Sequence, residues 1–255
     1  MTSSHRSDFV DPVQKTQELT KPKKISRFYK KVSVESYDAS FCVLLDGKKA
    51  RTPKKNIIQF PSQTLAEAIA DEWDAQGKDI DPFSMPMNRL CNVALDIDDQ
   101  AIKPLVDELL NFIQTDALIF RSYEPEALVA LQEDQWNIIQ EYAEDLLEGK
   151  IITTKGLSIP DQSDILSENA RNILSALSIF ELTALHTITT ISGSIFIALV
   201  LFTQGISSDQ AWQAGHLEED WNIALWGDDE EAQKRRKFRR KEWDAACKVL
   251  KIFQS

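Results

Sequence analysis

Between Phe28 and Phe60 apolar and polar positions alternate, and this spacing predicts a series of short antiparallel strands. Phe28, Val32 and Val34 read as one half-buried strand. Phe41, Val43 and Leu45 resume the alternation after a Tyr37-Asp38-Ala39-Ser40 turn. Asp46-Gly47 follows at once, and a tight hairpin turn there needs positive φ at both central residues. Lys48–Thr52 returns, Pro53 ends it, and Asn56–Phe60 supplies another short strand. After Pro61 the period lengthens to that of helices. Ser62 is placed to cap a helix carrying Leu65, Ile69 and Trp73, with Gly77 closing it. Pro82 and Pro86 bracket a connector, and Met87, Leu90, Cys91 and Ala94 mark the next helix.

From Asp98 onward the pattern is almost wholly helical. Ile102, Leu105, Val106, Leu109 and Ile113 form one stripe, with Pro104 expected in the first turn. Ala117–Phe120 reads as a brief extended piece. Pro125 opens a long helix whose stripe is Leu128, Leu131, Ile138, Tyr142 and Leu146, and Gly149 stops it. Ile151–Thr154 is expected as a short strand and Ile165–Leu177 as a helix. A single apolar helix around Leu199 follows, then two final helices. One opens on the capping box Ser207/Gln210 and ends at Gly227; the other opens on Asp228 and Glu231 and runs to about Phe253.

The fold class that results is α+β: a small antiparallel β-rich N-terminal domain followed by a mainly α-helical C-terminal domain. The boundaries read as a mobile, charge-rich tail over 1–24, the β-rich domain with its helices over 25–97, and the helical domain over 98–255. The stretch ISGSIFIALVLF (191–202) is the most apolar. At about 12 residues it falls short of the roughly 20 a bilayer span requires, so a buried core helix is expected rather than membrane insertion.

Composition narrows the function. With 255 residues, 43% apolar, the chain can bury a core without a disulfide or metal staple. Its net charge of −11 opposes general nucleic-acid binding. Cys42, Cys91 and Cys247 are isolated, with no C-x-x-C, and read as buried thiols. No glycine-rich phosphate loop, G-x-S-x-G elbow or H-E-x-x-H zinc motif is present. Of three histidines, His5 falls in the tail, His186 reads as a core imidazole and His216 as a residue on a solvated helix face. No catalytic residue, metal or cofactor is therefore expected.

Two segments are candidates for binding. Lys234–Lys241 (KRRKFRRK) is basic enough for an anion- or nucleic-acid-binding adaptor, although Glu230→Lys234 and Glu231→Arg235 pairs would make it a solvated helix face. In HLEEDWNIALWG (216–227), Ala214, Leu217, Trp221 and Leu225 fit a buried stripe with Glu218 at its edge. A carboxylate there, flanked by Trp221 and Trp226, suits either a cation of a partner or an internal ion pair with the basic helix. The exposure of Trp73, Trp136 and Trp212 is left open by their spacing, whereas Ser192-Gly193-Ser194 is expected to permit close backbone approach of another helix and so to serve packing.

Several segments also resemble one family. Leu45-Asp46-Gly47-Lys48 with Arg51-Thr52-Pro53, PSQTLAEAIADEWDAQG (61–77), Ile80-Asp81-Pro82, Met85-Pro86, Thr115-Asp116 with Arg121, Trp136, Gly193-Ser194 and LEEDWNIALWG (217–227) are similar to the F1-sector assembly chaperones that serve the alpha subunit of ATP synthase. The likeness spans about residues 27–243. The chain departs from it between Asp116 and Arg121, where the filling is aliphatic. The resemblance implies a two-domain protein, monomeric when free and without catalytic activity, that binds unassembled alpha subunit and prevents its aggregation. The short, acid-bearing head favours a bacterial cytoplasmic setting, with the mitochondrial matrix as the alternative, and the net charge implies no nucleic-acid partner. The family's important acidic residue carries over to Glu218 or Glu219. Trp221, Trp226 and Gly227 join them as partner-binding candidates, with Trp73, Asp74, Arg235 and Arg239 as secondary ones.

Overall fold

The computed structural model describes residues 25–156, 158–227 and 229–254. The expected tail over 1–24, and Asp228 as a helix opener, lie outside them. Strands β2 (Val32–Tyr37) and β3 (Ser40–Leu45) form an antiparallel hairpin, and β4 (Lys48–Lys49) and β5 (Gln59–Phe60) both pair with β3. A second ribbon joins β1 (Ile25–Ser26) to β6 (Asp79–Ile80). The register Tyr37↔Ser40 and Leu45↔Lys48 leaves two residues in each turn. All four have positive φ: Asp38 44°, Ala39 60°, Asp46 49° and Gly47 75°. The Asp-Gly signal is thus realised, and Asp38-Ala39 makes the same turn without glycine. Phe28 belongs to no strand and is 68% exposed; Tyr29 beside it is the buried residue.

Helix α1 (Gln63–Asp74) covers the sheet, started by the Ser62 hydroxyl accepting from the Leu65 N–H. It ends at Ala75, ahead of Gly77, whose φ is not left-handed. Then come α2 (Pro86–Asp96) and α3 (Asp99–Thr115), the latter capped by Asp98. Pro104 stands inside α3, past its first turn. The expected extended piece at Ala117–Phe120 is a 3-10 turn over Ala117–Ile119, and Ile151–Thr154 contributes only a bridge from Thr154 to Phe120.

Helix α4 (Glu126–Leu146) corrects the expected stripe. It buries Leu128, Gln132, Trp136, Ile139 and Ala143, while Ile138 is 63% exposed and Tyr142 is exposed. A buried glutamine and an alanine mark that face, so counting aliphatics sets the wrong register. After α5 (Asp164–Ser175), the apolar run divides into α6 (Ile179–Ser192) and α7 (Ile195–Phe202). Gly193 ends α6 in the left-handed region at φ 69°, and Ser194 caps α7. The Ser207/Gln210 capping box opens α8 (Ser208–Gly215), but a break at His216 separates it from α9 (Leu217–Trp226). The expected close approach of another helix to Ser192-Gly193-Ser194 is found at Ser192, where a Cβ on Gly215 of α8 would stand 2.7 Å from the Ser192 Cβ. The chain closes with α10 (Glu230–Phe253), which packs on α6, α2 and α1. Buried residues of sheet and helices form one connected core. The α+β architecture, with the sheet N-terminal and the rest mainly helical, is as expected. Among the described residues no helix is long and apolar enough to cross a membrane.

Candidate functional site around helix α9

Helix α9 is short and sits on α4. Glu218, Glu219 and Asp220 occupy its first turn, where negative charge is favoured by the exposed N–H groups. Gly227 stops it with φ 81° and ψ 177°, a conformation essentially restricted to glycine. Only Leu217 is buried, and Trp221 packs partly against the core. Leu225 is 57% exposed and Trp226 85%, so the expected buried stripe stops short of Leu225.

The three carboxylates have different fates. Asp220 lies 2.5 Å from Arg236. Both Glu219 oxygens accept from Arg239, at 2.7 and 2.9 Å, with Arg236 at 3.8 Å. The internal pair with the basic helix therefore forms at Glu219 and Asp220. Glu218 is exposed, and one oxygen accepts from the Gln132 side-chain amide at 2.8 Å. Gln132 is buried and fixed by Ser122, whose N–H it accepts at 2.8 Å. The second Glu218 oxygen has no partner among the described residues.

His216 departs from expectation. It is 2% exposed, its ring stacks on Trp212 at 3.8 Å, and Nδ1 lies 2.9 Å from the Trp212 carbonyl. Burial, with Arg239 and Arg236 close by, pushes the imidazole below its usual pKa and keeps it neutral. The break after α8 turns this ring inward.

A depression of about 350 Å³ opens beside Glu218, walled by Phe120, Trp136 and Leu217. Its frame is built by segments far apart in sequence. Trp136 Nε1 donates to the Ala214 carbonyl at 2.9 Å, and the Arg121 guanidinium covers the Trp136 ring at 5.2 Å. Ala117 N–H donates to the Gly193 carbonyl at 2.9 Å. Asp116, fully buried, accepts from the N–H groups of Leu118 (2.9 Å) and Phe196 (3.2 Å), tying the 3-10 turn to the start of α7. Burial drives its carboxyl up to about 7 despite these donors. Asp116, Arg121, Trp136, Gly193-Ser194 and the start of the LEEDW stretch thus meet at one place.

Comparison with known proteins identifies the family. The family described as ATP12 chaperone protein matches residues 26–144. The crystal structure of Atu1473 from Agrobacterium tumefaciens is 35% identical, covers 96% of this chain and 92% of its own, and superposes with a TM-score of 0.86. Atp12 from Paracoccus denitrificans is 29% identical over 89% of this chain and 98% of its own, with a TM-score of 0.82. The chain belongs to the ATP12 chaperone family. The mitochondrial atp12 protein of Schizosaccharomyces pombe is 25% identical over 218 residues, 81% of this chain and 75% of that one. Relatives of this ATP12-family chaperone therefore occur in bacteria and in a mitochondrion.

Several other residues singled out in the sequence lie away from α9 on the ATP12 fold. Trp73 is half-buried at the end of α1, its Nε1 donating to Asn88 at 3.0 Å, and Asp74 pairs with Arg27 at 3.1 Å. Arg235 pairs with Glu231 at 3.0 Å, whereas Arg239 joins the Glu219 cluster. Trp136 and Trp212 are buried. His186 is half-buried, 3.2 Å from Glu108. Gln132 and Arg236 were not foreseen: a glutamine inside a helix carries no signal of its own, and Arg236 is one of many cations in its run. No group of three or more His, Cys, Asp or Glu side chains able to hold a metal is found among the described residues.

Proposed function

We propose that this ATP12-family chaperone serves assembly of the ATP synthase F1 sector by binding the unassembled alpha subunit through the α9 surface, without catalysis. The observation that carries the reading is Glu218: an exposed carboxylate, oriented by a buried amide, with one oxygen open beside a half-open apolar depression. Leu225 and Trp226 extend that surface with apolar area that burial in the core does not explain. A free subunit exposes an interface prone to aggregation, and a reversible cover needs apolar contact for affinity and a placed charge for selectivity. Glu218 is the contacting acid in this reading, and Glu219 holds α9 against α10. Trp221 and Gly227 set the position of the tip. The competing role for the basic run as an anion site is weakened by geometry, since Lys234, Arg235, Arg236, Arg239 and Arg240 all reach carboxylates within 4.0 Å.

The test is co-expression of alpha subunit with wild type, Glu218→Lys or Glu219→Lys, reading soluble alpha subunit and co-purification. Glu218→Lys is expected to abolish capture while the chain stays folded, at a stability cost on the order of 1 kcal/mol, because the buried Gln132 amide loses this acceptor and keeps only Ser122. Full capture by a folded Glu218→Lys chain sinks the proposal.

A further inference from the structure

Five of the seven cations in the basic run Lys234–Lys241 reach carboxylates, and a larger group of cations without ion pairs among the described residues stands in the N-terminal hairpin region. Between Ile25 and Asn56 stand eight Lys and Arg against three Asp and Glu, a local net of +5 in a chain of −11. Lys30, Lys31, Lys48, Lys49, Arg51 and Lys55 form no ion pair among the described residues. Lys49 Nζ stands 3.2 Å from the centre of the Tyr37 ring, and Arg51 donates only to the Lys55 carbonyl, at 2.7 Å. Three of these cations, Lys48, Lys49 and Arg51, rim a depression of about 380 Å³. Its walls are aromatic and aliphatic: Phe28, Tyr29, Leu45, Ala50 and Trp73. The rings form an edge-to-face series, Phe28 to Tyr29 at 5.3 Å and Tyr29 to Trp73 at 5.6 Å. Phe28 ends that series exposed to solvent.

One carboxylate shares the rim, Asp46, and its oxygens are engaged by the backbone N–H groups of Lys30 and Lys31 at 2.8–3.2 Å. That leaves the rim with two net positive charges above an apolar floor. Leu45, Asp46, Lys48, Lys49, Ala50 and Arg51 of LDGKKARTP meet Trp73 of EWDAQG here, although α9 makes no use of them.

We propose that this depression is a second docking surface, which takes an acidic polypeptide segment bearing a large apolar side chain. The side chain enters between Phe28, Tyr29 and Trp73, and flanking carboxylates meet Lys48, Lys49 and Arg51. A short segment fits the charge pattern better than a long polyanion. Outside this hairpin region the chain carries the opposite sign, and an extended phosphate backbone would run into it within a few screening lengths of about 8 Å. An aromatic floor also selects for one inserted side chain, which a uniform charged surface does not supply. The inference is independent of α9 and can fail separately.

The experiment uses the full chain and a fluorescein-labelled peptide of alternating Glu and Phe, followed by fluorescence anisotropy at low ionic strength. Saturable, salt-weakened binding is expected. Lys48→Glu combined with Arg51→Glu should weaken it at least tenfold, and Phe28→Ser at least threefold, each with an unchanged melting curve. Glu218→Lys should leave it unaltered, which separates this surface from α9. Equal affinity of both hairpin variants overturns the proposal, as does equal binding of a peptide with Ala in place of Phe. Tighter binding of a single-stranded oligonucleotide, or of phosphatidylglycerol vesicles, lost on the same substitutions, would reassign the patch to phosphate groups and also overturn it.

Discussion

Helices α7 and α9 are both short and both contain a run of apolar residues, yet the fold treats them oppositely. In α7, IFIALVLF, every residue from Ile195 to Val200 is buried. In α9, LEEDWNIALW, only Leu217 is, and the helix ends on a tryptophan that is 85% exposed. An isolated helix of such length has little stability of its own. The first is therefore held by burial on all sides. The second is held at its base, through Arg236 and Arg239 on its carboxylates, Gln132 on Glu218 and Leu217 in the core, leaving its tip outside. A helix anchored in this way contributes a surface rather than a core.

The contrast can be broken most violently in α7. Leu199 is fully buried, so Leu199→Asp places a carboxylate where no partner exists and is expected to cost more than about 4 kcal/mol. Loss of cooperative unfolding, or loss of soluble protein, is the outcome; a normal melting curve would show that α7 is not the centre of the fold.

Asp116 gives an intermediate effect with a sign that can be worked out. Its carboxyl rises from 3.8 in the free chain to about 7 in the folded one. Between those values the folded state keeps a proton that the unfolded state has lost. Stability from this group is thus fully present below about pH 4 and declines as pH rises through 7, by about 1.4 kcal/mol per pH unit at most. Asp116→Asn removes that linkage. The stability of wild type relative to Asp116→Asn, from urea midpoints, should be higher at pH 5 than at pH 8 by on the order of 1–3 kcal/mol. A difference independent of pH would mean that Asp116 is ionised throughout.

Local chemistry was legible in the sequence, and pairing at a distance was not. Asp46-Gly47, Ser62 and the Ser207/Gln210 box each act within a few residues, and each appears where the pattern puts it. The breaks at Gly193 and His216 were missed because apolar residues continue across the first and helix-forming ones across the second. The α4 stripe was misread because Gln132 is buried for a hydrogen bond to Glu218, a residue 86 positions away. The same distance problem left Glu218 and Glu219 equivalent in sequence. Only the approach of α10 separates them, by giving Arg239 to Glu219.

The smallest expected effect on stability is at the tip of α9, and it discriminates best between anchoring and surface. Trp226→Ser removes a side chain that touches little, so its effect on the melting curve should stay within about 0.5 kcal/mol. If the tip is an aromatic anchor for the alpha subunit, the same change should weaken capture by about 2 kcal/mol or more, roughly thirtyfold in affinity. Titrating each chain into a fixed amount of denaturant-diluted alpha subunit, with light scattering as the readout, compares the two quantities directly. Equal suppression of aggregation by Trp226→Ser would reduce α9 to its charged base and place the apolar contact in the depression between Phe120 and Trp136.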